Sequence, residues 1–453
     1  MDWTPPDLDS GLDLLLRAVR LHRARGASVR FGGRIVETGA GYLRVAGLGR
    51  NVALGDQLAE AGCAPFGEVV HADETSALVK PYFDAAMRLG ATIFCQGPGS
   101  LEPGEQWRGR IVNALGMPID GGPPLPAGPS PACLHRPPPA ALRRQRVSTP
   151  VRTGVRAIDL FTPVCFGQRI GVFAGSGVGK STLLGMIAGA DQFDEIVIGL
   201  VGERGRELRE FAEDILGQRR AKSVIVASTS DESAVMRRRA ALAAMTVAEW
   251  FRDRGRRVLL ILDSITRFAQ ASREVAIAAG EPAVARGFPP SVFADLPKLL
   301  ERAGPGAEGA GSITGLFSVL VDGDDHNDPV ADSIRGTLDG HIVLDRAIVE
   351  QGRFPAINLL SSISRLADRV WTASQNDLVV KLRSMIARFE DSRDLRAIGG
   401  YQPGADEELD IAVRLTPVLY AALAQGAHDA RSADAFLEIS NALREHPANP
   451  GAN

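Results

Sequence analysis

The chain has 453 residues, of which 45% are hydrophobic and 23% are charged. This length exceeds a typical single core, so we expect two or three domains in a soluble, globular protein. A formal net charge of −3 gives no electrostatic reason to expect nucleic acid as the principal ligand. The four cysteines lack CxxC spacing and are expected to be free thiols in a reducing compartment. No signal peptide or membrane span is evident, so we expect a cytoplasmic protein.

Residues 1–26 predict a short amphipathic segment ahead of the first domain. Its apolar positions follow helical spacing and are Leu8, Leu12, Leu15, Leu16 and Val19. Its other face is basic. Two interpretations stay open: a helix packed on its own domain, or a docking helix for a partner or an acidic membrane surface.

Residues 27–97 show short β-prone runs separated by glycine, a spacing that predicts a small barrel. A Pro-rich stretch at 121–150 predicts an extended connector. From residue 170 to about 366, apolar strands alternate with helical patterns, which predicts a mostly parallel α/β core within a domain of residues 98–370. The strand candidates are 170–173, 195–201, 223–227, 258–262, 313–321 and 356–360. Residues 371–453 predict a helical domain, with helices at 376–389 and 411–425.

A glycine-rich loop lies between the strand at 170–173 and a helix that opens near Leu183. Glycines let successive backbone N–H groups converge on phosphate oxygens together with the positive helix N-terminus. The residues expected to bind nucleotide here are Gly175, Ser176, Gly177, Val178, Gly179, Lys180, Ser181 and Thr182. Lys180 can reach the outer phosphates, and the Ser181 hydroxyl can hold Mg²⁺. The strict pattern starts with glycine, whereas this chain has Ala174, which we expect to be harmless.

Charged residues follow three of the predicted core strands. Asp263 ends an apolar strand and is expected to support the Mg²⁺ shell, usually through water. Glu203 is the preferred base for the water that attacks the γ-phosphate, and Arg204 is a candidate γ-phosphate contact. Arg365 follows the last predicted strand. It could complete a neighbouring subunit's site as an arginine finger, although the residues alone favour an ordinary surface arginine.

An acidic loop at 322–328 invites a metal-site interpretation. It fails the EF-hand pattern because Ser333 stands where a bidentate Glu is required. A helix cap or a partner contact is therefore the favoured role.

These motifs, with four flanking segments, resemble the rotary and export ATPase superfamily, which includes the catalytic subunits of F-type ATP synthase. The segments are PPSVFADLPKLLERAG (289–304), LDGHIVL (338–344), RFAQ (267–270) and GRIVNALGMPIDG (109–121). Within the superfamily, DDHNDPVAD (324–332) is similar to the export branch. The segment AIVEQGRFPAIN (347–358) is similar to the flagellar protein export ATPases. The likeness runs from about residue 27 to 440.

The resemblance implies a RecA-like P-loop core in a homohexamer with active sites between subunits, binding ATP and Mg²⁺. By residue match, Lys180 and Ser181 serve phosphate and Mg²⁺, Glu203 is the catalytic carboxylate and Asp263 supports the metal. Arg365 matches an arginine finger acting in trans. Phe354 matches an aromatic that packs on adenine, and Tyr401 is a weaker candidate for that role. Ordinary core packing is the alternative for both rings.

The implied partners are a stator-like regulatory protein at the N-terminal helix and a central-stalk-like protein facing the acidic loop around Asp325. Export chaperones, substrates and the membrane export gate would meet the C-terminal helices, with the protein held peripherally at the inner membrane. The predicted function is therefore ATP hydrolysis for flagellar type III export. The alternatives are an ATPase of non-flagellar type III secretion, a rotary proton-pump subunit, a hexameric nucleic-acid translocase and a non-hydrolysing nucleotide-binding subunit.

Overall fold

The computed structural model describes residues 31–84, 87–321 and 328–445. The predicted amphipathic segment at 1–26 and most of the acidic loop, residues 322–327, lie outside this description. The chain divides into two compact units between Gly99 and Ser100.

The first unit is a closed barrel. Its six strands within the described residues are β1 (Gly32–Gly39), β2 (Tyr42–Ala46), β3 (Asp56–Ala59), β4 (Gly67–Ala72), β5 (Ser76–Pro81) and β6 (Thr92–Pro98), in the order β1-β2-β5-β4-β3-β6. Alternate residues of β2, Leu43 and Val45, are buried inside, as the period of a strand requires. The predicted small barrel is confirmed.

The second unit is built on a sheet of mostly parallel strands. Its strands are β7 (Ser100–Leu101), β8 (Ile111–Val112), β9 (Ala132–Cys133), β10 (Pro150–Val151), β11 (Val164–Cys165), β12 (Arg169–Ala174), β13 (Glu195–Glu203), β14 (Ser223–Thr229), β15 (Arg257–Asp263), β16 (Gly304–Pro305), β17 (Ser312–Leu320), β18 (Gly340–Leu344) and β19 (Ile363–Ser364). The main sheet runs β19-β18-β12-β17-β15-β13-β14-β8, and β16 pairs with β17. Its central strands are continuous apolar runs because helices cover both faces.

One predicted strand is wrong. Residues 356–360 do not form a strand: Ile357 makes only an isolated antiparallel bridge with Leu344, and the chain then turns. The Asn358 side-chain oxygen accepts hydrogen bonds from the N–H groups of Leu360 and Ser361 at 3.2 and 3.0 Å and so stabilises this turn. The strand beside β12 is instead β18, which the sequence analysis did not predict as a strand. The final strand, β19, is antiparallel to β18. Arg365 therefore follows a short edge strand.

The described α-helices of the second unit are α1 (Arg156–Phe161), α2 (Lys180–Ala188), α3 (Gly205–Glu210), α4 (Ala234–Arg252), α5 (Ile265–Ala278), α6 (Pro290–Leu300), α7 (Pro329–Thr337), α8 (Arg346–Glu350), α9 (Ala367–Val370), α10 (Ala373–Asp391), α11 (Arg393–Ala397), α12 (Glu407–Leu423) and α13 (Ala435–Arg444). The two predicted C-terminal helices correspond to α10 and α12. Their apolar faces join the hydrophobic core of the sheet through Leu382, Ile386, Leu419 and Leu423. In the part of the chain that the structure describes, no helix is both long and apolar enough to cross a membrane.

The stretch predicted as a connector carries little regular structure. Apart from β9 and the first residue of β10, the one described regular element in this stretch is the helical turn Ala141–Arg143. It is fastened to the core by Arg302, whose Nη1 donates to the Leu134 carbonyl at 2.6 Å, and by an ion pair between Arg144 and Glu301 at 2.8 Å.

Candidate nucleotide site

The glycine-rich loop joins β12 to α2, as the sequence predicts. Gly177 and Gly179 have φ angles of 77° and 90°, a backbone region that side chains with a Cβ rarely adopt. Ala174 is the buried last residue of β12 and is not among the described residues with positive φ. Nothing in its conformation requires the glycine of the strict pattern.

The N-terminus of α2 presents its unpaired backbone N–H groups at this loop. Buried Leu183 and Leu184 pack the helix against the core. Ser181 and Thr182 are exposed in its first turn. The helix dipole and the free N–H groups therefore favour an anion at this point, with the Ser181 hydroxyl beside it.

Lys180, Asp263 and Ser318 meet at one oxygen atom. Asp263 is the last residue of β15, and its Oδ1 forms an ion pair with Lys180 Nζ. The Ser318 hydroxyl, on the neighbouring strand β17, donates to the same oxygen at 2.6 Å. The Lys180 and Asp263 side chains are only 12% and 4% exposed, so water screens this contact weakly. The carboxylate thus balances the lysine charge.

Glu203 ends the adjacent strand β13 and lies close enough to this pair to feel both charges. Burial, reinforced by the negative charge of Asp263, raises the pKa of Glu203 to about 7, whereas Lys180 lowers that pKa. Glu203 Oε1 is buried and has no hydrogen-bond partner among the described residues. A carboxylate with this pKa and a free acceptor atom suits a general base near neutral pH.

Arg204 and Arg365 are not joined to this cluster. The Arg204 side chain is 70% exposed, and its Nε lies 3.9 Å from Glu207 Oε1. Arg365 is exposed, and its backbone N–H donates to the Asp339 carbonyl at 2.9 Å. Within residues 31–84, 87–321 and 328–445, no contact of the Arg365 side chain is recorded. Both guanidinium groups are therefore accessible from outside the chain.

The two predicted adenine aromatics lie in different environments. Phe354 is 47% exposed and shares the lining of a small cavity with Tyr420 of α12. Tyr401 precedes α12, and its hydroxyl donates to Asp410 Oδ1 at 2.5 Å. No recorded contact among the described residues joins Tyr401 to Phe354.

Three residues of this region were missed by the sequence analysis. Ser318 had one available signal, a hydroxyl within an apolar buried strand, which must find a partner. Arg346 donates from Nη2 to the Ser176 carbonyl of the loop at 3.1 Å. The ring of Tyr420 lies 3.7 Å from the Arg353 guanidinium, and its hydroxyl donates to Glu390 at 2.6 Å. Nothing in the local sequence marks Arg346 or Tyr420.

The residues fit a magnesium-bound nucleotide. The loop supplies backbone donors and a lysine, the exposed Ser181 hydroxyl is a suitable Mg²⁺ ligand, and Asp263 is a carboxylate one strand away from Glu203.

Comparisons with known proteins agree with this geometry. The model of the ATP synthase alpha/beta family nucleotide-binding domain matches residues 154–364, and that of the T3SS EscN ATPase C-terminal domain matches residues 371–439. The flagellum-specific ATP synthase of Agrobacterium fabrum is 54% identical over 421 residues, covering 92% of this chain and 89% of that protein. The Salmonella typhimurium flagellum-specific ATP synthase is 48% identical over 332 residues, 73% of either chain.

Solved structures give the same result. The assembled ATPase EscN of the enteropathogenic E. coli type III secretion system superposes with a TM-score of 0.84 at 39% identity, over 91% of this chain and 100% of that chain. EscN in complex with its central stalk EscO gives a TM-score of 0.83 at 39% identity, with the same coverage. The predicted RecA-like architecture and the predicted export ATPase family are thereby confirmed. This chain belongs to the family of the flagellum-specific ATP synthases, the flagellar members of the type III export ATPases.

Proposed function

We propose that this chain hydrolyses ATP at the loop around Lys180 and that hydrolysis energises or primes flagellar type III protein export. The observation that carries the proposal is the arrangement of Glu203 and Asp263 at the ends of neighbouring strands, beside Lys180. A site that only bound nucleotide would have no use for a buried carboxylate with a raised pKa and a free oxygen.

In this mechanism the loop N–H groups and Lys180 hold the β- and γ-phosphates, so Lys180 exchanges its Asp263 partner for phosphate. Ser181 and Asp263 are the residues that would hold Mg²⁺, the latter through water. When bound, Mg²⁺ neutralises charge on the phosphate oxygens. Glu203 Oε1 orients the attacking water and accepts its proton. Arg204 is the proposed second contact to the γ-phosphate, reaching it after a rotamer change.

The nucleotide base is proposed to pack on Phe354, whose exposed ring offers a free face. Tyr401 stays a weaker candidate because its hydroxyl is engaged by Asp410.

The active unit is proposed to be a homohexamer in which Arg365 of one subunit completes the site of the next. The exposed Arg365 side chain and the similarity to an assembled EscN support this arrangement. A central-stalk-like partner is proposed by analogy with the complex of EscN with EscO. The acidic loop assigned to the stalk and the N-terminal segment assigned to a stator-like regulator lie outside the described residues.

The C-terminal helices are proposed to meet export chaperones, substrates and the membrane export gate, with the protein at the cytoplasmic face of the inner membrane. The flagellar assignment is favoured over virulence-type secretion by the 54% identity to a flagellum-specific relative, against 39% to EscN.

The direct test is Glu203→Gln in the purified full chain. We expect ATP binding to be retained and turnover to fall by about 10²–10⁴-fold, the usual contribution of a positioned base. Glu210→Gln, at the exposed end of α3, is the matched control for loss of a carboxylate. Normal turnover in Glu203→Gln would remove this residue from the mechanism. Export of flagellar proteins in a strain lacking its own export ATPase then tests the cellular assignment.

A further inference from the structure

One loop of the C-terminal region bonds to the ATPase core at several points around the proposed site. Residues 424–434 connect α12 to α13, and we call them the C-terminal tie. The backbone N–H of Gln425 donates to the Phe354 carbonyl at 2.9 Å. The Gln425 side chain and the Ser432 N–H both donate to the Gly154 carbonyl, at 2.9 and 3.1 Å. The tie thus holds the segment that carries the proposed adenine aromatic.

Arg431 extends the tie to the helix that carries Lys180. Its Nη1 donates at 2.9 Å to the carbonyl of Met186, in the last turn of α2. Its Nη2 donates to the Thr153 carbonyl. The last carbonyls of a helix lack partners within the helix, and a cation at that end also interacts favourably with the helix dipole.

Two glycines make room for this guanidinium. A Cβ on Gly154 would come within 2.8 Å of Arg431 Nε, and a Cβ on Gly189 would overlap Arg431 Nη1. Gly189 ends α2, and its φ of −65° is one that any residue can adopt, so the need for glycine there is steric. The steric argument therefore rests on Gly189, because the φ of 73° at Gly154 already favours glycine there.

A short helix transmits a displacement of one end to the other. The nine residues of α2 span about 13 Å, with Lys180 and Ser181 at one end and the Arg431 contact at the other. We propose that Arg431 is a positioning residue for the nucleotide site, coupling nucleotide affinity at Lys180 to the packing of α12 and α13. This inference rests on the proposed function, since it assumes that nucleotide binds at this loop. Coupling between sites is reciprocal, so bound nucleotide should in turn reduce local opening of α12 and α13.

The test compares Arg431→Ala with Arg156→Ala in the full chain. Arg156 bonds to the same region, with Nε donating to Glu438 at 2.7 Å and Nη1 to the Ala424 carbonyl at 3.2 Å, but it makes no recorded contact with α2. The dissociation constant of a fluorescent ADP analogue is measured without Mg²⁺. We expect Arg431→Ala to weaken binding about fivefold or more, the usual range of coupling between sites, and Arg156→Ala to stay within about twofold.

A second measurement separates coupling from simple loss of stability. In the wild-type chain, ADP should slow amide hydrogen exchange in α12 and α13. That protection should disappear in Arg431→Ala and persist in Arg156→Ala. Arg431→Lys keeps the charge but has one side-chain nitrogen in place of the two that donate to Met186 and Thr153. It should therefore give an intermediate affinity for the ADP analogue. It also serves as the test if Arg431→Ala does not fold.

Three results would overturn the proposal: wild-type affinity in the Arg431 variants, equal losses in the Arg431 and Arg156 variants, or ADP-dependent protection that survives without Arg431. Failure of the underlying site would look different. Lys180→Ala should abolish binding of the analogue, and a Lys180→Ala chain that binds it normally would refute the nucleotide site itself.

Discussion

At the scale of single residues, Glu203 holds its charge in an unfavourable place. Its carboxylate is largely withdrawn from water and faces the negative charge of Asp263, with Lys180 offsetting only part of the cost. A folded protein tolerates such a group when function requires it, because burial and a like charge both oppose ionisation. The consequence is a base that can exchange its proton near neutral pH.

The pH dependence of ATP hydrolysis follows from this. The pKa of Glu203 is raised from its ordinary 4.5 to about 7, so kcat/KM should fall as the pH drops through about 7, where Glu203 becomes protonated and cannot accept a proton. Steady-state assays across this range measure the inflection. The small residual activity of Glu203→Gln should lack it.

Stability should change with pH in the opposite sense. Because the folded-state pKa of Glu203 exceeds the unfolded one, the folded state holds this proton more tightly. Its contribution to the free energy of unfolding therefore falls as the pH rises from about 4.5 to about 7. Urea unfolding of Glu203→Gln should lose this component. If the pH profiles of ATP hydrolysis and of urea unfolding are the same in Glu203→Gln as in the wild type, another group titrates.

Whether a site residue could be predicted depends on whether the local sequence or only the tertiary packing determines its contacts. Asp263 and Glu203 each end an apolar strand, the loop that leads to Lys180 follows another, and the carboxyl ends of parallel strands share one edge of the sheet. The position of each residue relative to its strand therefore predicts that the three side chains lie near one another. Tyr420 and Arg346 reach their partners, Glu390 and Ser176, from distant segments, and only the tertiary packing brings them together.

At the scale of elements, the same reasoning explains which strands were predicted correctly. Those at β13, β14 and β15 are continuous apolar runs, as burial on both faces requires. In contrast, β18 begins with Gly340 and His341, which weaken the local signal. Residues 356–360 are as apolar as a strand, yet the Asn358 side chain offers the backbone a turn.

The hydrogen bond between β17 and β15 gives a prediction at this scale. Ser318 donates to Asp263 Oδ1 inside the sheet, so Ser318→Ala leaves a buried carboxylate with one donor fewer. We expect the free energy of unfolding to fall by about 1.5–3 kcal/mol, the usual worth of a hydrogen bond to a charged group. Urea titration measures it. The half-maximal Mg²⁺ concentration for ATP hydrolysis should also rise, because Asp263 is less firmly oriented.

Ser272→Ala is the matched control. The Ser272 hydroxyl is likewise buried, but it has no hydrogen-bond partner among the described residues. Its removal should cost little or even stabilise the chain, since an unpaired buried hydroxyl is itself unfavourable. If both variants lose the same small amount, the bond to Asp263 contributes nothing specific.

At the scale of the whole molecule, the position of Arg365 argues for assembly. It follows the edge strand β19, whereas the loop of Lys180 follows β12, two strands further into the sheet. An exposed arginine with no recorded side-chain contact in the described part of its own chain is available to another copy. A heterologous interface that places it at a neighbour's loop closes into a ring if the rotation permits.

A complementation experiment distinguishes this arrangement from one in which Arg365 serves its own subunit. Lys180→Ala removes the proposed phosphate contact, and Arg365→Ala removes the proposed finger, so each variant alone should lose ATP hydrolysis, the second on the order of a thousandfold. Mixed in equal amounts and assembled at random, the two should recover about a quarter of wild-type activity, since that share of interfaces pairs an intact loop with an intact arginine. Recovery requires that the two residues of one site come from different chains. A mixture no more active than its components, in rings shown to contain both variants, would mean that each subunit must supply both residues itself.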